Sequence, residues 1–267
     1  MNSKHLRIFL VLICSVILLL IVSARIGTKP PTTANPNNPG TSLDNPEDFV
    51  EPTPTPTPEV EVTPTPDPYP DLPDVSVNDW QYKILNNIMA DTGSFYPEVV
   101  EIENDAQYFD VRAIDSLRAL LQAARDEGFE VVVRQGYRSY DTQRTIFFGR
   151  ASIIHENEGI EYAQAEMQAR KVVAYPGTSD HQTGLGVDLI DSKDTSLVAE
   201  EVENMPLLIW LKENCADYGF VMRYPEDKKA LTGWYEPWHF RYVGEEVAQF
   251  MTKYGLCLEE FSKLYYR

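Results

Sequence analysis

The chain has few cysteines, few histidines and few cationic residues for its length of 267 residues. Three cysteines cannot build the dense disulfide framework of a small secreted scaffold. The 23 Lys and Arg residues are outnumbered by 41 Asp and Glu residues, which gives a formal net charge of −18. Because phosphate binding needs a basic surface, this charge balance excludes a general nucleic-acid-binding protein. The length fits one sizeable domain with appendages.

Long hydrophobic runs are also scarce. One run extends from Ile8 to Val22, within an N-terminal segment that contains no acidic residue. Such a run is typical of a membrane anchor or a signal peptide, and Val22-Ser23-Ala24 resembles a cleavage site. We favour an anchor over residues 1–27, with a cleaved segment and a secreted protein as the alternative. Lys4 and Arg7 precede the run and predict that the rest of the chain is extracytoplasmic.

Proline is sparse outside residues 28–79, which hold 14 of the 19 prolines. Alternating Thr-Pro pairs, as in Thr53–Pro58, favour polyproline II. Ten acidic residues and no Lys or Arg lie between Pro30 and Asp79, and their mutual repulsion favours an extended chain. The sequence therefore predicts an extended linker over 28–79 and a single monomeric domain over 80–267, the only stretch that can form a core.

Mixed periodicities over residues 80–267 predict an α+β domain. Asp141 is the predicted N-cap of the second helix. Cys215 and Cys257 are either a disulfide or two buried thiols. The predicted helices cover 111–124, 141–150, 161–173, 207–218 and 245–254. The predicted strands cover 129–133, 184–190, 220–223 and 238–243.

Two of the four histidines lie in polar motifs that suit a metal site. A catalytic zinc usually takes three protein ligands from His, Asp, Glu and Cys and leaves a fourth position for water. His181 and Asp188 lie on adjacent elements, and His239 follows a proline-containing turn, so the three can supply these ligands. Glu236 is placed to take a proton from a metal-bound water. A hydrogen-bonded, partly buried side chain is the alternative for either histidine alone.

Several blocks in a fixed order carry a family resemblance. They resemble the VanY-type D-alanyl-D-alanine carboxypeptidases, which are related to VanX and LdcB, over residues 112–264. The resemblance implies a small antiparallel sheet flanked by helices, a zinc site in a cleft on the sheet, and hydrolysis of the peptide stems of bacterial peptidoglycan. The blocks are Gly136-Tyr137-Arg138-Ser139, Ser179–Asp188, Tyr218-Gly219-Phe220, Arg223-Tyr224-Pro225 and Glu236–Gly244.

The resemblance also assigns roles to single residues. It implies zinc binding by His181, Asp188 and His239. It implies a general base at Glu236 and an arginine near the scissile carbonyl at Arg138. Binding of the terminal carboxylate of the substrate falls to Gln143 and Ser179. Asp191 is a rival carboxylate ligand by spacing, and the family pattern selects Asp188.

The sequence favours a D-Ala-D-Ala carboxypeptidase that acts in cell-wall remodelling. An L,D-carboxypeptidase and a peptidoglycan endopeptidase are alternatives, because they share the metal site. A non-catalytic wall-binding module is a further alternative, although such a module would have no chemical need for Glu236. Asp180 and Gly186 stand where relatives commonly have Glu and Ala, and these departures leave the fine specificity open.

Overall fold

The computed structural model describes residues 67–103, 106–193 and 199–266. The predicted membrane segment and most of the predicted linker lie outside these residues. Within the described part of the chain, no helix is long and apolar enough to cross a membrane.

Within the described residues, helices and short strands are interspersed along the chain, with 3₁₀ turns between some of them. The strands are β1 (Val99–Glu101), β2 (Tyr108–Asp110), β3 (Val131–Gln135), β4 (Gly186–Asp191), β5 (Phe220–Tyr224) and β6 (Glu236–Tyr242). The helices are α1 (Ile114–Asp126), α2 (Tyr140–Glu158), α3 (Tyr162–Ala169), α4 (Ala199–Val202), α5 (Pro206–Asn214), α6 (Lys229–Thr232), α7 (Glu245–Tyr254) and α8 (Leu258–Lys263).

Four strands form an antiparallel sheet in the order β3-β4-β6-β5, and β1 and β2 form a separate antiparallel pair. The small antiparallel sheet with helices around it confirms the predicted α+β class. The register of β4 against β6 sets Asp188 directly opposite His239. The pairing of the two strands thus brings two of the predicted metal ligands together.

Side-chain alternation gives the central strands one apolar face and one polar face. Val187 and Leu189 of β4 and Trp238 and Phe240 of β6 enter the main hydrophobic core. The residues that alternate with them are Asp188, His239 and Arg241, which are buried as well. Buried polar groups need partners, so the polar face of this sheet is a candidate for a functional site.

Helix α1 covers the apolar face of the sheet. Leu117, Leu120, Leu121 and Ala124 are fully buried, at the spacing of one helix face. Burying each of these leucines stabilises the fold by roughly 1.5–3 kcal/mol. The periodicity over 111–124 therefore predicted the helix correctly, although its first turn begins at Ile114.

Helix α2 differs from its prediction at both ends. Its N-cap is Ser139, whose Oγ accepts a hydrogen bond from the amide of Thr142 at 3.1 Å. The assignment of the cap to Asp141 is wrong, because Asp141 already lies in the first helical turn. The helix continues to Glu158 and ends at Gly159, whose φ of +62° is a left-handed conformation that glycine adopts readily.

The described end of the predicted linker, residues 67–79, packs on the closing helices. Tyr69 contacts Tyr254 of α7, with ring centroids 5.0 Å apart. Asp71 accepts a hydrogen bond of 2.7 Å from Lys253. These residues are held by aromatic and ionic contacts, so this stretch is part of the folded unit rather than of an extended spacer.

Cys215 and Cys257 are buried free thiols. Burial raises the pKa of Cys215 to about 12 and that of Cys257 to about 11. Neither residue is a thiolate at neutral pH, so neither serves as a nucleophile there.

Candidate metal centre

His181, Asp188 and His239 come together on the polar face of the sheet. Each offers one ligand atom, and these atoms all lie within 4.8 Å of one another. Asp188 Oδ1 lies 2.8 Å from His239 Nδ1 and 3.5 Å from His181 Nε2. The structure thus brings together the three residues that the sequence predicted as metal ligands.

The donor set fits zinc. Asp188 Oδ1 and His239 Nδ1 are both buried and have no hydrogen-bond partner, which is costly unless a metal ion takes that role. Two imidazoles and one carboxylate are ligands that zinc prefers, and three ligands leave a coordination position open for water. Asp191 has a different partner, because its Oδ1 accepts a hydrogen bond from the Lys193 amide. The structure therefore favours Asp188 over Asp191.

His181 is oriented by a backbone carbonyl. It lies in the 3₁₀ turn Asp180–Thr183, and its Nδ1 is 3.0 Å from the carbonyl oxygen of Gly136. This contact leaves Nε2 directed at Asp188. Burial lowers the pKa of His181, and the nearby Asp188 charge offsets only part of that effect. His181 is therefore a neutral ligand at neutral pH.

His239 is oriented by a carboxylate. Its Nε2 lies 3.2 Å from Asp180 Oδ2, which leaves Nδ1 directed at Asp188. Burial lowers the pKa of His239, but the neighbouring carboxylates of Asp180 and Asp188 outweigh burial and raise it to about 9. The Tyr224 ring packs against this imidazole, with centroids 4.9 Å apart.

Asp180 is a buried acidic residue beside the site to which sequence reasoning assigned no role. It is buried and accepts a hydrogen bond from Arg241 Nη1. Burial alone would raise its pKa, but Arg241, His239 and Arg223 hold it well below its usual range. The sequence contained one indication that an acidic residue lies there. Arg241 is two residues after His239, so the two side chains share a strand face, and the buried Arg241 needs a carboxylate partner.

Glu236 lies beside the three ligands at the start of β6. Its Oε2 is 3.7 Å from His239 Nδ1, and the residue remains partly exposed. Burial of the carboxyl group raises the pKa of Glu236 to about 7, with His239 and Arg138 opposing and Asp188 reinforcing the shift. A carboxylate with a pKa near neutrality is suited to accept and return a proton.

Arg138 lies near enough to the site to interact with the charges of Asp188 and Glu236. Its Nη2 donates to Ser179 Oγ at 3.3 Å, while its buried Nε has no hydrogen-bond partner. Burial lowers the pKa of Arg138, and the charges of Asp188 and Glu236 oppose this shift. The arginine thus carries its charge into the site with donor capacity left for a ligand.

The two remaining predicted residues, Ser179 and Gln143, are both buried. Ser179 is buried and is the hydrogen-bond partner of Arg138. Gln143 is fully buried on α2, and its Nε2 donates to the Ala174 carbonyl at 2.6 Å. Its Oε1 has no hydrogen-bond partner. Substrate binding by Ser179 and Gln143 stays a prediction.

Comparisons with known proteins agree with this geometry. The family model described as VanY, D-alanyl-D-alanine carboxypeptidase, matches residues 106–245. A putative carboxypeptidase, YodJ, of Bacillus subtilis is 37% identical over 156 residues, which cover 58% of this chain and 54% of the relative. A D-alanyl-D-alanine carboxypeptidase of Enterococcus faecalis is 36% identical over 184 residues, which cover 68% of this chain and 66% of the relative. The chain thus spans about half to two thirds of the length of these two curated relatives.

Solved structures extend the likeness to the fold. VanYB in complex with D-alanine-D-alanine is 35% identical, with a TM-score of 0.59 and coverage of 69% of this chain and 98% of that one. The LD-carboxypeptidase LdcB is also 35% identical, with a TM-score of 0.58 and coverage of 67% and 84%. A VanY structure from a vancomycin-resistance cassette, with a TM-score of 0.58, was determined in complex with Zn(II). The chain therefore belongs to the VanY family of D-alanyl-D-alanine carboxypeptidases.

Proposed function

We propose that this chain is a zinc-dependent carboxypeptidase that removes the C-terminal D-Ala from peptidoglycan stem peptides. The observation that carries the proposal is the buried group of His181, Asp188 and His239 with the Glu236 carboxylate beside it. The family model and the relatives named D-alanyl-D-alanine carboxypeptidase support the substrate class.

The residues of the site divide the chemistry between them. When bound, zinc lowers the pKa of its water toward neutrality and polarises the scissile carbonyl. Glu236 accepts the proton of the attacking water and passes it to the leaving amine of the terminal D-Ala. Arg138 stabilises the negative charge that develops on the carbonyl oxygen. Its unpartnered Nε supports this role, since that donor is unused in the free protein.

Cleavage of an L,D bond is the second candidate. The similarity to LdcB is as strong as the similarity to VanYB, with TM-scores of 0.58 and 0.59. The two reactions need the same metal site and differ in the stereochemistry of the residue before the scissile bond.

The substrate experiment separates these candidates. The full chain is incubated with a stem pentapeptide ending in D-Ala-D-Ala and, separately, with the tetrapeptide that lacks the last D-Ala, and the products are identified by mass. We expect one D-Ala to be released from the pentapeptide. Chelation should abolish the release, and added zinc should restore it. Release from the tetrapeptide alone would replace the D,D assignment with the L,D one.

We also propose that the enzyme acts outside the cytoplasmic membrane as a monomer, anchored by residues 1–27. The apolar run and its basic flank in the sequence support the anchor. The single domain that the sequence predicts is compatible with a monomer. Cell fractionation should find the full chain in the membrane fraction, whereas recovery of a shortened chain from the medium would indicate a cleaved signal peptide. Size-exclusion chromatography with light scattering should give the mass of one chain, and a dimer mass would contradict the monomer.

A further inference from the structure

Four charged side chains are buried behind His239. Asp180 precedes the ligand His181, Arg223 lies on β5, Arg241 lies on β6, and Glu259 lies on α8. Their exposed fractions are 1%, 1%, 0% and 8%. Two carboxylates and two guanidinium groups balance in formal charge, which is required of ions removed from water.

The inner part of this cluster holds the partner of a metal ligand. Asp180 Oδ2 contacts His239 Nε2 at 3.2 Å, and Asp180 Oδ1 accepts a hydrogen bond from Arg241. Arg223 Nε lies 3.5 Å from the same Oδ1 atom and has no hydrogen-bond partner. Two cations therefore flank the carboxylate that orients the imidazole.

The two arginines of the cluster, Arg223 and Arg241, are themselves bound by groups farther from the metal site. Arg223 donates two hydrogen bonds to Glu259, of 2.9 Å and 2.6 Å, in a bidentate arrangement. Asn86 Nδ2 donates to Glu259 Oε1 at 3.2 Å. Arg241 Nη2 donates to the carbonyl oxygens of Gln81 and Lys83 at 2.9 Å and 2.8 Å. The closing helix and the chain before β1 thus reach the metal site through two arginines.

Stability alone does not account for this arrangement. A buried ion pair can often be replaced by apolar residues without loss of stability, because desolvation offsets the attraction of the charges. The apolar cluster of α7 and α8 already lies next to these residues and could be extended into their place. The Arg223–Glu259 ion pair instead lies next to Asp180, which contacts the metal ligand His239. Residues in the position of Asp180 fix the orientation of the ligand ring and the metal affinity.

We propose that Arg223 and Glu259 are positioning residues for the zinc ligand His239. Glu259 holds the Arg223 guanidinium, Arg223 together with Arg241 fixes the Asp180 carboxylate, and Asp180 fixes the imidazole with Nδ1 toward the metal. The inference rests on the zinc site of the proposed function but not on its substrate. It makes α8, which contributes no metal ligand, part of the zinc site.

The test compares two neighbouring substitutions in the full chain. Glu259→Gln removes the charge that holds Arg223, and Glu260→Gln makes the same change one residue later. Glu260 pairs with Lys228 and caps the Cys257 amide, away from the cluster. We expect Glu259→Gln to weaken zinc binding about tenfold in a chelator competition assay. The absorption spectrum of the cobalt-substituted protein should change as well. Glu260→Gln should leave both measurements as in the wild type.

A double variant separates positioning from folding. Arg223→Met combined with Glu259→Leu removes both charges, which often leaves the stability of a fold unchanged or improved. We expect this variant to match the wild type in thermal midpoint and still to bind zinc more weakly. Wild-type zinc affinity in the folded double variant, or equal affinities in Glu259→Gln and Glu260→Gln, would overturn the proposal. Zinc binding is measured without substrate, so a failure of the wild type to release D-Ala would defeat the proposed function and leave this inference standing.

Discussion

The two imidazoles of the metal centre are the same kind of ligand in two different surroundings. His181 contacts a neutral backbone carbonyl, that of Gly136, whereas His239 contacts the Asp180 carboxylate. The pKa of His181 is lowered by burial, and the pKa of His239 is raised to about 9 by its two carboxylate neighbours. The difference teaches that burial alone does not decide the protonation of a ligand, since both imidazoles are buried.

The contrast has a consequence for metal binding. A neutral imidazole can bind a metal directly, whereas a protonated one must first release its proton. In the metal-free protein, His181 is therefore ready to bind at neutral pH, while His239 carries a proton that zinc must displace. The proposed proton acceptor, Glu236, lies next to His239.

The largest expected effect concerns this Glu236 carboxylate. Glu236→Gln keeps the shape of the side chain and removes the proton acceptor, so we expect the turnover of the stem pentapeptide to fall by about 10²–10⁴-fold. Zinc affinity should stay near the wild-type value, because Glu236 is not a ligand. Glu226→Gln is the matched control, because Glu226 is exposed and lies ten residues before Glu236. This variant should retain full activity. Full activity in Glu236→Gln would remove the proton-transfer role from this residue.

The next effect tests the difference between the two imidazoles directly. Zinc binding to the wild type should strengthen by up to about tenfold per pH unit from pH 7 to about 9, because the His239 proton competes with the metal below its pKa. Asp180→Asn removes the carboxylate that raises this pKa, so the pH dependence should flatten above pH 7. At about pH 10, above the pKa of His239 in both proteins, zinc affinity should be about 10–100-fold lower in the variant.

The measurement is a chelator competition at several pH values, corrected for the proton binding of the chelator. His181→Ala is not a substitute for Asp180→Asn, because it removes a ligand instead of changing the protonation of one. Identical pH profiles for the wild type and Asp180→Asn would contradict the assignment of the proton to His239.

The smallest effect concerns the space between Asp180 and His239. A Cβ atom at Gly186 would lie 2.6 Å from Asp180 Oδ2 and 2.8 Å from His239 Nε2, which is too close. Gly186→Ala should therefore move this pair, destabilise the fold by about 1–3 kcal/mol and weaken zinc binding several-fold. The measurements are thermal or denaturant unfolding and the same zinc competition.

The control for this substitution is Gly149→Ala. Gly149 lies exposed inside α2, and no atom beyond its chain neighbours and its own helix backbone lies within 4 Å of the added Cβ. The change should stabilise the fold by about 0.5–1 kcal/mol and leave zinc binding unaltered. If Gly186→Ala behaved like this control, the contact between Asp180 and His239 would not require a glycine at position 186.

Much of the site could be predicted from the sequence. The alternation over 238–243 placed His239 on a strand, and the turn before Gly184 placed His181. The three residues that the structure brings together were therefore those that the sequence predicted. The pair of strands β1 and β2 was not predicted, because these strands have only three residues each and little periodicity. Helix α2 was predicted too short, since its later turns have only a few buried positions.

The support of His239 was beyond reach of the sequence for a different reason. Asp180, Arg223 and Glu259 are separated by tens of residues and share no local pattern. A salt bridge such as Arg223–Glu259 forms between a strand and a helix that follow different periodicities. Arg223 belongs to one of the blocks that carry the family resemblance, but its partner on α8 lies outside them.

The sequence by itself determined the order of the helices and strands around the site, the three candidate metal ligands and the family, because helix and strand periods and short motifs are local properties. The tertiary structure decided which atom faces which. The register of β4 against β6 sets Asp188 opposite His239, and the folding of distant segments gives one imidazole a carbonyl partner and the other a carboxylate. The pKa values of the site follow from that choice, because they depend on burial and on charges that meet only after the chain has folded.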